Sequence, residues 1–227
     1  MHPKKKERVI LWLLRAVVFI LLLGVAFFIG WNCAAFAAIP ARADQYRATL
    51  IRTAHYTWGL DAPIAVFAAQ IHTESRWKTD AKSPVGAVGL AQFMPATARW
   101  MPEIDKSLAS PAPTNPGWAI RAMLRYNLWI WNQVQAANVF ERMAFVLSSY
   151  NGGLGWVQKD KRMATSKGFD PARWFANVAT VNAGRSKPNW RENREYPRQI
   201  LCTFQQEYVQ AGWGNGLDDL EGQCTGQ

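Results

Sequence analysis

The run Ala68-Ala69-Gln70-Ile71-His72-Thr73-Glu74-Ser75 sets a carboxylate where an apolar side chain is due. Ile64, Phe67, Ala68 and Ile71 recur at three- and four-residue intervals, the spacing of one buried helix face, and Glu74 stands three residues beyond Ile71 on that face. A carboxyl group held against apolar neighbours at the negative end of a helix dipole is harder to ionise. That is how a glutamic acid keeps its proton near neutral pH and serves as a general acid. Taken alone, the pattern favours the plainer reading, in which Glu74 leans out to solvent or pairs with Arg76. Downstream, the Gly- and Pro-rich stretch 83–95 holds Gly86 and Gly89, where backbone can approach a ligand closely, beside the amide of Gln92 and the side chain of Met94. Ser148-Ser149-Tyr150-Asn151-Gly152-Gly153 then delivers a phenol and an amide to a glycine stop. His72 and Glu74 form an H-x-E pair without the P-C-x-x-C that would complete a zinc deaminase signature. No metal or cofactor is expected, and His72 reads as a surface or supporting residue.

Several helices must position these groups. Asp61-Ala62-Pro63 reads as the start of the Glu74 helix, with a capping acid and a proline in its first turn. Asn115-Pro116 opens a long helix with Ile120, Met123, Leu124, Leu128 and Trp131 on its inner face, and Asn138 caps the helix that carries Tyr150 and Asn151 to its end. Asp170-Pro171 suggests a short helix, and a last one runs through Tyr196, Ile200, Leu201, Phe204 and Tyr208. No strand-like alternation of useful length appears, so the fold class is all-α, without repeats. Ten of the twelve tryptophans lie beyond the N-terminal segment, and most are expected in the core.

Lys4, Lys5, Lys6, Arg8 and Arg15 precede or enter an apolar stretch that, from Ala16 to Ile39, is broken only by Asn32. That length spans a bilayer as a helix, and the basic residues would stay cytoplasmic while the remainder is exported. Ala35-Phe36-Ala37 and Ala41-Arg42-Ala43 each fit a signal cleavage pattern, so secretion into the periplasm after cleavage competes with a retained anchor. Cys33 lacks a lipoprotein box. In an oxidising compartment Cys202 and Cys224 would pair and tie the tail to the last helix; two free buried thiols is the alternative. The formal charge of +10 is spread thinly beyond the N-terminal cluster, without the basic runs of a nucleic-acid binder. It suits solubility and attraction to an anionic polymer.

Four segments in order resemble the soluble lytic transglycosylase family: Glu74-Ser75; Gly89-Leu90-Ala91-Gln92 with Met94; Tyr150-Asn151-Gly152-Gly153; and Glu192-Asn193-Arg194-Glu195-Tyr196. The resemblance covers about residues 50 to 205. It implies a lysozyme-like helical domain with a substrate cleft, preceded here by one N-terminal transmembrane helix. The boundaries are then a basic cytoplasmic segment 1–15, an anchor or uncleaved signal 9–39, a catalytic domain 44–210 and a tail 211–227. The resemblance implies that Glu74 is the single acid/base, protonating the glycosidic oxygen and then taking the proton of the N-acetylmuramic acid C6 hydroxyl to leave a 1,6-anhydro sugar. By the same likeness Ser75 positions the reacting groups, Gln92 and Asn151 bind the muramyl or N-acetyl substituents, Tyr196 orients Glu74, and Met94 and Tyr150 line the sugar subsites. Two family positions in the long helix hold Ala119 and Met123 instead of Asn and Gly. Asn193 replaces the usual Thr of the fourth segment, and Pro197 follows Tyr196.

Glycoside hydrolysis ordinarily needs a second acid. After Glu74 come Asp80, then Glu103 and Asp105, and only Asp80 stands near the first segment. If Asp80 held a water across the cleft, the chain would hydrolyse as a goose-type lysozyme does; it is expected to be a loop residue instead. A third reading is a non-catalytic wall-binding or structural module. The partners that fit are peptidoglycan glycan strands, the inner membrane through the single N-terminal pass, with the catalytic domain in the periplasm, and a secretion, conjugation or phage assembly apparatus. Nucleic acid is not among them.

Overall fold

The helix that carries Glu74 is buried on almost every side, and the other elements are arranged around it. The computed structural model describes residues 39–224. The basic segment, the apolar run through Ala38 and the last three residues lie outside that range, as do the topology and cleavage expectations that rest on them. Among the described residues no helix is long and apolar enough to cross a membrane.

In chain order the helices are α1, Asp44–Trp58; α2, Ile64–Ser75; α3, Pro95–Ile104; α4, Pro116–Gln133; α5, Val139–Gly152; α6, Leu154–Ser166; α7, Lys187–Arg198; and α8, Gln205–Gln210. Among the described residues the only β pairings are the isolated bridges Lys82 to Val88 and Val88 to Phe93. The unit is therefore all-α. Every residue of α2 from Ile64 to His72 is buried, where the spacing pointed to a single buried face; Ala65, Val66 and Ala69 make the other sides apolar as well, and the helix is enclosed. It packs against α8 and the segment before it, while α1 packs on α4 and α5 packs on α4, α6 and α7. A bond of 2.6 Å from Asn127 Nδ2 to Gln70 Oε1 joins α4 to α2 inside the core.

The asparagines at 115 and 138 cap as their positions suggest, accepting from the backbone N–H groups of Trp118 at 3.0 Å and Glu141 at 2.8 Å. Two other starts differ from expectation. Asp61 makes no cap; α2 begins at Ile64, after Pro63, whose carbonyl accepts from Val66 and Phe67. Asp170 opens only a turn, its side chain accepting from Ala172 N at 2.8 Å, and no helix follows before the short 3-10 turn Val178–Thr180. Helices α1, α3 and α6 add to the sequence-level reading. The last helix is also not uniform. Between α7 and α8 the residues Gln199–Phe204 form a π-helix, which starts two residues after Pro197, whose missing N–H and ring disturb the regular ladder.

At the C-terminal end of α2 the chain turns through two consecutive left-handed residues, Arg76 (φ 50°) and Trp77 (φ 63°). This conformation is unfavourable for side chains other than glycine, asparagine and aspartate. It is held by Trp77, which is fully buried, faces Tyr46 and Trp213, and donates from Nε1 to the Tyr208 hydroxyl at 2.6 Å. Glu74 is thus three residues from a deeply anchored ring.

Candidate active site

Helix α2 ends where the loop 83–95, the end of α5 and one face of α7 converge on a cleft of about 700 Å³. Glu74 lies in its wall, part-exposed, surrounded by protein on its other sides. Burial pushes its carboxyl up to about 8; the hydroxyl of Tyr196, which donates to Glu74 Oε1, works against that shift, and the negative charge of Glu192 adds to it. At neutral pH the group is mostly protonated, with a hydrogen-bond donor ready to stabilise the carboxylate that forms when the proton leaves. Burial and the nearby Glu74 hold the phenols of Tyr196 and Tyr150 well above their usual range, so both remain neutral donors.

The loop is built around its glycines and Gln92. Gly89 has φ of +81°, and a Cβ there would lie 1.8 Å from the carbonyl oxygen of Pro113, so no side chain fits. Gln92 is itself left-handed, with φ of 46°, and its amide nitrogen donates to the carbonyls of Ala81 at 3.1 Å and Gly89 at 2.9 Å. Its NH2 therefore braces the loop, which leaves Oε1 as the atom it can offer a ligand. Met94, 41% exposed, stands at the start of α3 and lines the cleft. Tyr150 ties α5 to the loop through a 2.7 Å bond from its hydroxyl to the carbonyl of Ala91.

Glu74, Gln92, Met94, Tyr150, Asn151 and Tyr196 are brought together in the cleft wall. Ser75 is not. It is buried, its hydroxyl turned back to the carbonyl of Ile71 at 3.4 Å, and it does not line the cleft, because one residue along a helix points about 100° away from Glu74. Asp80 sits on an exposed turn and also lies outside the cleft lining. Two acids that sequence order passed over, Glu192 and Glu195, do line it. Their signal was available: 192, 195, 196 and 199 share one helical face, and Tyr196 and Gln199 line the cleft with them. None of the tryptophans among the described residues is in the cleft lining; its rings are Phe93, Tyr126, Tyr150 and Tyr196.

His72 is buried rather than on the surface. It stacks on Phe204 with ring centroids 4.6 Å apart and lies 3.2 Å from the Tyr208 hydroxyl. Burial, with the nearby Arg76 guanidinium, lowers its affinity for a proton. Among the described residues no group of three or more His, Cys, Asp or Glu is placed to hold a metal ion. Cys202, in the π-helical segment, is disulfide-bonded to Cys224, with Cα atoms 5.4 Å apart.

Residues 49–173 match the family described as the transglycosylase SLT domain. The membrane-bound lytic murein transglycosylase F of Pasteurella multocida is 34% identical over 116 residues, which is 51% of this chain and 22% of that protein. The protein of the same name from Shewanella loihica is 33% identical over 138 residues, 60% of this chain and 26% of that one. The chain thus spans about a quarter of the length of these relatives. In fold it resembles the 70 kDa soluble lytic transglycosylase of Escherichia coli, with a TM-score of 0.52 at 23% identity, over 75% of this chain and 25% of that one. It also resembles a 70 kDa soluble lytic transglycosylase in complex with bulgecin A, with a TM-score of 0.57 at 27% identity, over 78% of this chain and 26% of that one.

Proposed function

The chain belongs to the transglycosylase SLT domain family, and from that premise we propose that it is a peptidoglycan lytic transglycosylase with Glu74 as its single acid and base. The observation that carries this reading is one carboxyl group, in the cleft wall, whose proton is retained to about pH 8 and whose conjugate base is met by a tyrosine hydroxyl. Glu74 gives its proton to the oxygen that links N-acetylmuramic acid to N-acetylglucosamine, and the bond from that oxygen to muramyl C1 breaks. The resulting carboxylate accepts the proton of the muramyl C6 hydroxyl as O6 attacks C1. A 1,6-anhydro ring closes, Glu74 is protonated again and no water is consumed. Tyr196 holds the carboxyl in place and stabilises its charged form between the two proton transfers. Gln92 through Oε1 and Asn151 bind the polar substituents of the sugars, and Met94 and Tyr150 form apolar walls.

Glu192 and Glu195 support a second reading, hydrolysis with water held by one of these acids. Mass spectrometry of purified peptidoglycan digested with the full chain separates the two. Anhydromuramic products that drop by about a hundred- to ten-thousand-fold with Glu74→Gln support the first reading. Reducing-end muramic products would direct attention to Glu192→Gln and Glu195→Gln, and retained glycan binding without any product would leave a wall-binding module.

The apolar run 16–39 and the relatives named membrane-bound support tethering at the inner membrane with the catalytic unit in the periplasm. There it would open the wall locally, during growth or for a secretion, conjugation or phage apparatus. Release of the chain from membranes by an alkaline carbonate wash would count against the anchor.

A further inference from the structure

Asn193 is 1% exposed, and both ends of its amide are fully used. Its Oδ1 accepts from the Ser148 hydroxyl at 2.9 Å and from Arg194 Nη1 at 2.7 Å. Its Nδ2 donates to the Ser148 carbonyl at 2.8 Å and to Asn151 Oδ1 at 3.0 Å. The orientation of a buried amide follows from its partners. A guanidinium has donors only and a carbonyl is an acceptor only, so the atom facing Arg194 must be oxygen and the atom facing the Ser148 carbonyl must be nitrogen. That nitrogen in turn requires an acceptor from Asn151. Asn151 therefore presents its oxygen to the interior, and its NH2 faces the cleft, where it lies 3.3 Å from Glu192 Oε1.

The anchor behind this arrangement is stiff. Arg194 Nη2 reaches the fully buried Asp160 at 2.8 Å, and its Nε donates to the Ala179 carbonyl at 3.1 Å. Asp160 also pairs with Arg185 and accepts from Ala183 N at 2.9 Å. Gly152 leaves the necessary room, since a Cβ there would lie 2.5 Å from Asn193 Nδ2.

We propose that Asn193 is a positioning residue that sets the polarity of the Asn151 amide, so that the cleft receives a hydrogen-bond donor suited to a substrate carbonyl, that of an N-acetyl group. This rests on the glycan-cleaving reading of the same cleft, and it assigns a role to the position where the family's usual threonine is replaced.

Asn193→Asp tests it with almost no change of shape. The aspartate keeps an acceptor for Arg194 and the Ser148 hydroxyl but sets an oxygen against the Ser148 carbonyl, and two nearby arginines against one Asp160 offset the added charge. It has no donor, however, so Asn151 must turn its own NH2 inward and show the cleft an oxygen. Binding is measured by calorimetry in the Glu74→Gln background, which needs no turnover, with a GlcNAc–MurNAc tetrasaccharide and its de-N-acetylated counterpart. Asn193→Asp should weaken the N-acetylated ligand by about tenfold and narrow or reverse its preference over the amine-bearing one. Asn193→Thr, which restores a hydroxyl donor, should recover affinity. In an Asn151→Ala background Asn193→Asp should change nothing further. Unchanged affinity and preference in Asn193→Asp, in a protein whose circular dichroism and melting match the parent, would overturn the proposal. So would an effect that persists without the Asn151 side chain. Failure of the lytic reading shows separately, as tetrasaccharide that binds to the chain with Glu74 intact and is not cut.

Discussion

At the scale of single residues, the behaviour of Glu74 is set by its burial and by two groups, Glu192 and Tyr196, whose effects differ in sign. Burial and Glu192 favour its protonated form, and Tyr196 favours the carboxylate. In the mechanism proposed above the acid form starts the reaction, so kcat/KM should fall as pH rises through about 8, where burial places the loss of the Glu74 proton. Tyr196→Phe removes a stabiliser of the carboxylate and should move that descending limb to higher pH, with kcat lower by about tenfold. Glu192→Gln removes a repelling charge and should move it to lower pH. Opposite displacements in pH–rate profiles of the two variants would establish the assignment; shifts of one sign would refute it. The place of Glu74 in the cleft wall was legible because the helical period counts directly from Ile71. Ser75 was misleading because adjacency in sequence is not adjacency on a helix. Glu192 and Glu195 were passed over because a second acid was sought near Glu74 in the chain, whereas the fold brings α7 to it from more than a hundred residues away.

At the scale of elements, the helix starts marked by a side-chain cap were readable at Asn115 and Asn138 and misleading at Asp61 and Asp170. Both residue types, asparagine and aspartate, favour caps and turns alike, and tertiary packing decides between the two. The π-helical segment carried only an indirect signal, Pro197, whose ring can end, kink or widen a helix depending on its neighbours. The loop between α2 and α3 is more constrained than its glycine content suggests. Gly89→Ala must both adopt φ of +81° and displace the Pro113 carbonyl. It should lower the melting temperature and reduce turnover together, because Gln92 braces itself on the Gly89 carbonyl. Gly86, where a Cβ would meet nothing within 4 Å, is the control: alanine there bears only the cost of its positive φ. Equal effects at the two positions in thermal melts would show that the clash does not matter.

At the scale of the molecule, the all-helical class of the described residues followed from the absence of alternation, whereas the way α2 is enclosed depends on long-range packing that no local pattern encodes. The disulfide contributes on this scale. Cys202 and Cys224 are 22 residues apart, and closing a loop of that length restricts the unfolded chain, worth roughly 3 kcal/mol. Cys202→Ser should therefore lower the urea midpoint without changing the cleft, which the bond does not line; a change in KM at 25 °C would contradict that separation of roles.

The left-handed pair at Arg76 and Trp77 bears on how this chain tolerates substitution. Arg76 is exposed, and an exposed position is ordinarily permissive, yet its backbone, at φ 50° and ψ 41°, excludes most replacements on conformational grounds. In a saturation library selected for folded protein, glycine and asparagine should be enriched at residue 76, while valine, isoleucine and proline are depleted as strongly as polar residues in a core. A surface residue would then show the selectivity of an interior one, imposed by the direction the chain must take on leaving the helix that carries Glu74.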